Sequence, residues 1–173
     1  IPYEDTRVLN SSDYGSFQSR KRAITAHIIK FGSMASPPKH KAKNKTLNQF
    51  FNIFTSPFPY QDKSKVIQDP NYQHLSLNIT ELTDHFYDTR IHDMDAKLSR
   101  ELKENHPYMG KMSFPENLNK SVRTITATKI SMAREALIFK AEHDGEKNAK
   151  YRLPTVREAA CVMGFPITYQ FKG

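Results

Sequence analysis

The stretch Tyr151–Pro166, YRLPTVREAACVMGFP, constrains the fold more tightly than any other part of the chain. Thr155 precedes Glu158 by three residues, which is the spacing of a capping box that satisfies two free amides at a helix start. Gly164 and then Pro166 supply a left-handed residue and a stop. The stretch therefore predicts a short strand, a capped helix and an abrupt end.

The predicted helix carries a small apolar face, made of residues that recur at helical spacing: Val156, Ala159, Ala160 and Met163. Small alanines favour a helix that packs closely against another element. The residues themselves therefore indicate a structural brace, for which Thr155, Arg157, Glu158 and Gly164 are the candidate residues.

The charge of the chain is positive and uneven. Lys and Arg number 26 against 18 Asp and Glu, a formal net charge of +8, and residues 1–50 hold nine Lys/Arg against three Asp/Glu. A basic excess concentrated in this way indicates a polyanionic partner, most simply nucleic acid. The alternative is a basic face that only keeps the protein in solution.

Several classes of protein do not fit the sequence. It has neither an apolar run of about 18 residues, which a membrane span needs, nor a visible signal peptide. The single cysteine, Cys161, excludes an internal disulfide and fits a reducing compartment. The spacing of His85, His92 and Asp93 matches no standard metal site, so we expect no metal. Because the first residue is Ile1, we expect a piece of a longer or processed chain.

Residues 15–22, GSFQSRKR, form a basic segment that leads into a predicted strand over residues 23–31. Gln18, Arg20 and Arg22 lie two residues apart, so on an extended backbone they project to the same side. Such an array of donors suits phosphates and the carbonyl oxygens of a base. The alternative is a basic patch that protects a sheet edge.

The middle of the chain begins with a linker over residues 33–48, rich in proline and small polar residues. The linker carries four lysines, Lys39, Lys41, Lys43 and Lys45, each of which could bind a phosphate. The alternative is a solvated loop without ordered contacts. The aromatic run over residues 48–60 then predicts core for a second small domain.

Further elements follow the aromatic run. Residues 93–105 predict a helix with one apolar stripe, formed by Met94, Leu98 and Leu102. Residues 121–128 alternate β-branched and small side chains, which favours a strand. After the apolar run at 136–139, Asp144-Gly145 predicts a hairpin turn that leads to Tyr151.

Three segments resemble the DNA (cytosine-5) methyltransferases, in the order that this family has them. RLPTVREAACVMGFP at 152–166 is similar to the ninth conserved motif, and D-Y-G-x-x-Q-x-R-x-R at 13–22 is similar to the eighth. V-x-T-I-T-A at 122–127 resembles the end of the family's recognition domain. The eighth motif usually has proline where Phe17 stands.

The resemblance implies particular roles for these residues. Arg22 would hold a flipped cytosine through its O2 atom and a flanking phosphate, with Gln18 and Arg20 in support. Thr126, followed by a small residue, would touch the DNA backbone beside the extruded base; the alternative is a β-rich segment without a ligand.

The implied fold is mixed α/β. Residues 1–32 would end a Rossmann-like methyltransferase sheet, and 33–130 would form a small, mainly β target-recognition domain. Residues 131–173 would supply the hairpin and the bracing helix that return to the catalytic domain.

The implied activity is methyl transfer from S-adenosylmethionine to C5 of a flipped cytosine, with a cysteine attacking C6. This sequence lacks the Pro-Cys, Glu-Asn-Val and glycine-rich motifs of that machinery, and we do not expect Cys161 to replace the nucleophile. We therefore expect the DNA-recognition portion of an enzyme of the restriction-modification type. Alone, it would bind no S-adenosylmethionine and would be inactive.

The expected partners are double-stranded DNA and the remaining catalytic part of the enzyme, in the same or a second chain. The expected location is the bacterial cytoplasm, in association with the nucleoid and without membrane attachment. The alternative function is a non-catalytic DNA-binding module or a degenerate methyltransferase remnant.

Overall fold

The computed structural model describes residues 3–28, 44–54, 64–85, 87–107, 111–127, 133–141 and 150–171. Within these ranges, strands pair into two-stranded antiparallel sheets. The strands are β1 Tyr3–Asn10, β2 Lys21–Ile28, β3 Val66–Gln68, β4 Ser76–Asn78, β5 Phe139–Lys140 and β6 Tyr151–Arg152. The α-helices are α1 Leu47–Ile53, α2 Asp93–Glu104 and α3 Val156–Met163. The chain is therefore mixed α/β, as the sequence predicts, with short antiparallel sheets.

Strands β1 and β2 form a long hairpin, with Asn10 opposite Lys21 at its closed end. A short 3-10 turn over Ser11–Tyr14 follows β1 and ends at Gly15, whose φ of 86° is the left-handed conformation that glycine adopts without strain. The predicted strand at 23–31 is confirmed as far as Ile28, and its last residues lie outside the described ranges.

Aromatic rings form the centre of the main hydrophobic core. The ring of Phe50 packs edge-on against Phe17 at 5.3 Å and stacks on Phe54 at 5.2 Å. All three are fully buried, so burial of the aromatic run is confirmed at Phe50 and Phe54. Residues 55–60 lie outside the description, and a second small domain stays a prediction. Replacing a ring in this position by alanine costs about 3–5 kcal/mol of stability.

The same core draws on distant parts of the chain. Phe17 follows β1, Ile67 lies in β3, and Val162 lies in α3, yet all belong to one buried cluster. The three segments of the predicted domain division therefore contribute to a common core. Their boundaries at residues 32 and 130 stay a prediction.

Helix α2 matches its predicted bounds but buries a different face. Met94 is 74% exposed, and Leu98 and Leu102 are also exposed, so the predicted apolar stripe lies on the solvent side of the helix. The buried side carries Ala96, Ser99 and Lys103. This side is buried because it packs against main-chain carbonyls near residues 134–136, which require a hydrogen-bond donor from the helix.

That donor is Lys103, whose Nζ atom donates to the carbonyls of Arg134 at 2.6 Å and Ala136 at 2.7 Å. The pKa of Lys103 is lowered to about 8, first by burial and then by the positive charge of Arg123, while Glu116 opposes both. A buried cation is tolerated here because its hydrogen bonds replace those it made to water.

Residues 121–127 do not form the predicted strand. Val122 donates to the carbonyl of Phe17 at 2.8 Å and accepts from Ser19 at 2.7 Å, which makes a single parallel bridge beside Gln18. The β-prone composition therefore gives an extended segment fixed at one point. The predicted hairpin strands β5 and β6 do pair, although the turn at Asp144-Gly145 lies outside the described residues. No helix in the described ranges has the length and hydropathy to cross a membrane.

Candidate nucleic-acid interface

Two arginines lie at the closed end of the β1–β2 hairpin, where the half-buried Arg20 precedes strand β2 and the exposed Arg22 lies within it. Arg22 is exposed, lies opposite Leu9, and donates from Nη1 to the carbonyl of its neighbour Lys21 at 2.8 Å. Two hydrogen bonds to Ser11 fix the main chain of Arg20. Its carbonyl accepts from the amide of Ser11 at 3.1 Å, and its amide donates to Ser11 Oγ at 3.1 Å. No partner for the guanidinium of Arg20 is found among the described residues, which leaves its planar donor array for an anion.

Gln18 has a different environment, because β2 begins only at Lys21. Its carbonyl accepts from Ser11 Oγ at 2.6 Å, its amide donates to Ser16 Oγ at 3.1 Å, and the residue is 3% exposed. Its Nε2 atom is buried without a partner in the described part of the chain. Gln18 therefore does not share one exposed strand face with Arg22, and its role toward DNA stays a prediction.

Thr126 is exposed at the wall of a cavity of about 350 Å³. Leu153, Pro154 and Ala159 of the 151–166 stretch line the same cavity. Two residues earlier, Thr124 donates from Oγ1 to the carbonyl of Ser19 at 3.1 Å. The structure thus places the 121–127 segment against both the arginine-bearing segment and the bracing helix, which are distant in sequence.

Of the four candidate lysines, Lys39, Lys41 and Lys43 lie outside the described residues. The Nζ atom of Lys45 donates to the carbonyl of Pro70 at 3.4 Å and lies 4.6 Å from the centre of the Phe17 ring. Burial lowers the pKa of Lys45, and Asp69 partly offsets this. Lys45 therefore has contacts within the protein, and its contact with DNA stays a prediction.

Helix α3 begins and ends as the sequence predicts. The Oγ1 atom of Thr155 accepts from the amide of Glu158 at 3.1 Å, and the Glu158 carboxylate accepts from the amide of Thr155 at 2.9 Å. Gly164 ends the helix with φ of 98°. The buried face differs from the predicted apolar face, because Arg157 and Glu158 are buried along with the alanines. Met163, which the prediction included, is 41% exposed.

The buried carboxylate of Glu158 is matched by Arg152 of strand β6. Two hydrogen bonds join them, at 2.7 Å and 2.8 Å. Burial by itself would raise the pKa of Glu158, but the charge and hydrogen bonds of Arg152 outweigh it and the pKa is lowered. This pair fixes α3 to the strand before it.

Arg157 fixes the other side of α3. Its guanidinium donates to Asp84 at 3.1 Å and to the carbonyls of Ile167 at 2.8 Å and Tyr169 at 2.5 Å. These contacts join α3 to Asp84 and to the residues after the helix, and the bracing role of Arg157 stays a prediction.

Two structural residues were missed in the sequence. The carboxylate of Asp69 accepts from the amides of Asn71 at 2.6 Å and Tyr72 at 2.8 Å, and also from the amide of Ile167. The Asp-Pro-Asn sequence at 69–71 is a turn signal that could have indicated this. His85 is buried, with Nδ1 2.8 Å from Thr155 Oγ1, and no local signal marks it.

The remaining groups considered for chemistry have structural surroundings. His92 accepts from the amide of Met94 at 3.3 Å and so caps helix α2. The residues that the structure describes contain no cluster of potential metal ligands. Burial, followed by the nearby Asp69, raises the pKa of Cys161 to about 12, so its thiolate is not formed at neutral pH.

Comparison with known proteins identifies the family. The family model described as C-5 cytosine-specific DNA methylase matches residues 3–173, nearly the whole chain. The protein therefore belongs to the C-5 cytosine-specific DNA methylase family, whose members methylate cytosine in DNA with S-adenosylmethionine as the methyl donor. A search of the curated proteins found no match.

Proposed function

We propose that this chain is the DNA-recognition portion of a cytosine-5 methyltransferase of the restriction-modification type. The observation that carries the proposal is the pair formed by Arg20, just before β2, and Arg22, within it, next to the 121–127 segment. Two guanidinium groups at the closed end of a hairpin suit the phosphates and base oxygens of duplex DNA. Family membership supplies the substrate class.

Within this proposal Arg22 contacts the O2 atom of a cytosine extruded from the duplex and a phosphate beside it. Arg20 and Gln18 support that contact, and Thr126 touches the neighbouring DNA backbone. Lys39, Lys41, Lys43 and Lys45 neutralise phosphates. Extrusion is required because the reacting carbons of cytosine cannot be approached correctly inside the base stack.

The proposed arrangement has three parts. Residues 1–32 complete a Rossmann-like catalytic sheet, 33–130 form the target-recognition domain, and 131–173 return to the catalytic domain through the brace. Double-stranded DNA in a bacterial nucleoid is the proposed partner.

S-adenosylmethionine would be held by the remaining catalytic part of the enzyme, in the same or a second chain. The cavity beside Thr126 does not fit the cofactor, because apolar side chains such as Ile91 and Leu137 line much of it. Of its two acidic residues, Asp88 accepts from Arg90 Nε at 2.9 Å and Nη2 at 2.9 Å, and Glu135 lies 3.9 Å from Arg134 Nη1. When bound elsewhere in the enzyme, the cofactor supplies the methyl group.

The first test is methyl transfer by the 173-residue chain alone, measured as labelled methyl incorporated into DNA. We expect none, since Cys161 is the only cysteine in the sequence and is buried as the thiol. Incorporation of label by the isolated chain would contradict the proposal.

The second test is duplex binding by an Arg22→Ala variant. Binding to a pool of random-sequence duplexes is measured by fluorescence anisotropy. We expect weaker binding and an unfolding free energy within about 0.5 kcal/mol of the wild type, because Arg22 is exposed. Lys97→Ala, which removes an exposed charge from α2, is the matched control. Equal binding by the two variants would remove Arg22 from the interface.

The buried thiol of Cys161 also favours the second candidate, a non-catalytic DNA-binding module or degenerate remnant. The two candidates differ in their response to a complementing polypeptide that carries the Pro-Cys and glycine-rich motifs. Methyl transfer that appears only when both chains are present supports the recognition subunit. Duplex binding without methyl transfer under any complementation supports the module.

A further inference from the structure

A polar cleft of about 350 Å³ lies beside the closed end of the β1–β2 hairpin. Its walls come from three parts of the chain: the hairpin end with Asn10 and Ser19, the residues before α1 with Asn44, and the turn at 119–121. None of its lining residues is acidic. Because Asn10 pairs with Lys21 across the hairpin, the cleft lies next to the segment that carries the arginines.

The walls of this cleft are fixed by hydrogen bonds within the protein. Asn10 donates from Nδ2 to Ser19 Oγ at 3.1 Å, and Ser19 donates back to Asn10 Oδ1 at 3.3 Å. Ser121 donates from Oγ to the carbonyl of Lys45 at 2.7 Å. Thr46, which also lines the cleft, is held by the capping box of α1. The cleft is therefore defined before any ligand arrives.

Three donor groups in the cleft are left for a ligand. The side-chain amides of Asn44 and Asn119 and the ammonium of Lys120 find no partner in the described part of the chain, and all three residues are exposed. Side-chain amides and an ammonium group can donate hydrogen bonds to an anion that has several acceptor oxygens. No carboxylate among the lining residues competes for these donors. A phosphate group has that chemistry.

We propose that this cleft binds a backbone phosphate of duplex DNA, with Lys120 supplying the charge and Asn44 and Asn119 supplying hydrogen bonds. The inference rests on the proposed function. It extends that function because the cleft is a separate site beside the hairpin end, and no arginine side chain lines it. A phosphate held here fixes the register of the DNA backbone relative to Arg22 without reading bases.

The test is the salt dependence of duplex binding by the full chain, measured by fluorescence anisotropy over a series of KCl concentrations. Lys120→Ala should reduce the slope of log K against log salt by about 1, since one phosphate contact is lost. It should weaken binding uniformly across duplex sequences. Lys120→Arg should restore the slope, and Lys97→Ala on α2 should leave it unchanged.

The possible outcomes separate the cleft from the proposed function. If the wild type binds duplex and Lys120→Ala has the slope of Lys97→Ala, the cleft is not a phosphate site, while the proposed function stands. If the wild type binds no duplex at all, the proposed function fails and this inference fails with it.

A second measurement reports on the cleft directly. Titration with dimethyl phosphate should shift the side-chain amide signals of Asn44 and Asn119 in ¹⁵N spectra of the wild type and leave those of Lys120→Ala unmoved. Inorganic phosphate is the second arm, and a response to it without any response to dimethyl phosphate would assign the cleft to free phosphate and overturn the proposal. Silence in both arms would also overturn it.

Discussion

Removing the hydroxyl of Thr155 tests whether this group has two tasks. In the native protein Oγ1 accepts from the amide of Glu158 at 3.1 Å and lies 2.8 Å from Nδ1 of His85, and both side chains are fully buried. Thr155→Ala therefore removes a helix cap and also removes the hydrogen bond between this hydroxyl and the buried His85 ring.

The magnitude follows from those two contacts. Loss of a threonine cap costs about 1 kcal/mol. A buried polar atom left without a hydrogen bond costs about 1–3 kcal/mol more. We therefore expect Thr155→Ala to lower the free energy of unfolding by about 2–4 kcal/mol.

The chain offers a matched control in Thr46, which starts α1 with the same capping box toward Gln49. No histidine bonds its hydroxyl among the contacts described for it, so Thr46→Ala should cost only about 1 kcal/mol. Thr155→Ser keeps the hydroxyl and should cost about 1 kcal/mol for the lost methyl group.

The assay is urea denaturation followed by circular dichroism, with the three variants and the wild type compared at equal m-value. The difference between the two alanine variants measures the contribution of His85. If Thr155→Ala and Thr46→Ala cost the same, the hydrogen bond to His85 contributes nothing and the reasoning is wrong.

Three further predictions concern buried groups. Glu158→Gln leaves Arg152 buried without its counter-charge and should cost about 3–5 kcal/mol in the same denaturation assay; a cost below that of Thr46→Ala would contradict a tightly coupled pair. The pKa of Lys103 is lowered from 10.5 to about 8, so between these values the unfolded chain binds more protons than the folded one. Stability should therefore rise with pH across this window relative to a Lys103→Met variant, and parallel pH profiles of the two proteins would refute this. Cys161 should resist iodoacetamide at neutral pH in the native protein and react once urea unfolds it, as measured by mass spectrometry; rapid native labelling would show an exposed thiolate.

The sequence predicted α3 well because its determinants are local. Thr155, Glu158 and Gly164 each act within one turn of a helix end, so their spacing alone indicates the cap and the stop. The start of α1 has an equally local signal in Thr46 and Gln49, which the prediction of an aromatic core over residues 48–60 does not use.

The faces of the helices could not be predicted in the same way. The stripe at Met94, Leu98 and Leu102 has helical spacing, yet a neighbouring loop with carbonyls to satisfy draws the opposite side of α2 inward through Lys103. Periodicity indicates that the two faces of a helix differ in polarity, but it does not indicate which neighbouring segment each face packs against.

In the candidate site, too, features set by local sequence were predictable and features set by distant contacts were not. Arg22 at the start of β2 was predictable, because two-residue spacing in a β-prone segment is a local pattern. The burial of Gln18 was not, since it depends on a bridge to Val122, more than 100 residues away in sequence. The polar cleft likewise exists only after three distant segments meet, so no motif marks it.

The contacts around Asp69 have a consequence for synthesis on the ribosome. Asp69 binds the amide of Ile167, 98 residues later, and Asn71 donates to the carbonyl of Cys161, 90 residues later. At about 5–20 residues per second, translation separates these partners by roughly 5–20 s. During that interval the turn at residues 69–72 has been made while its partners have not, and Ile67 beside it has an incomplete core to pack against. The core around Ile67 is therefore completed only when residues 161–167 emerge, and until then the nascent chain presents an incomplete apolar surface suited to a chaperone.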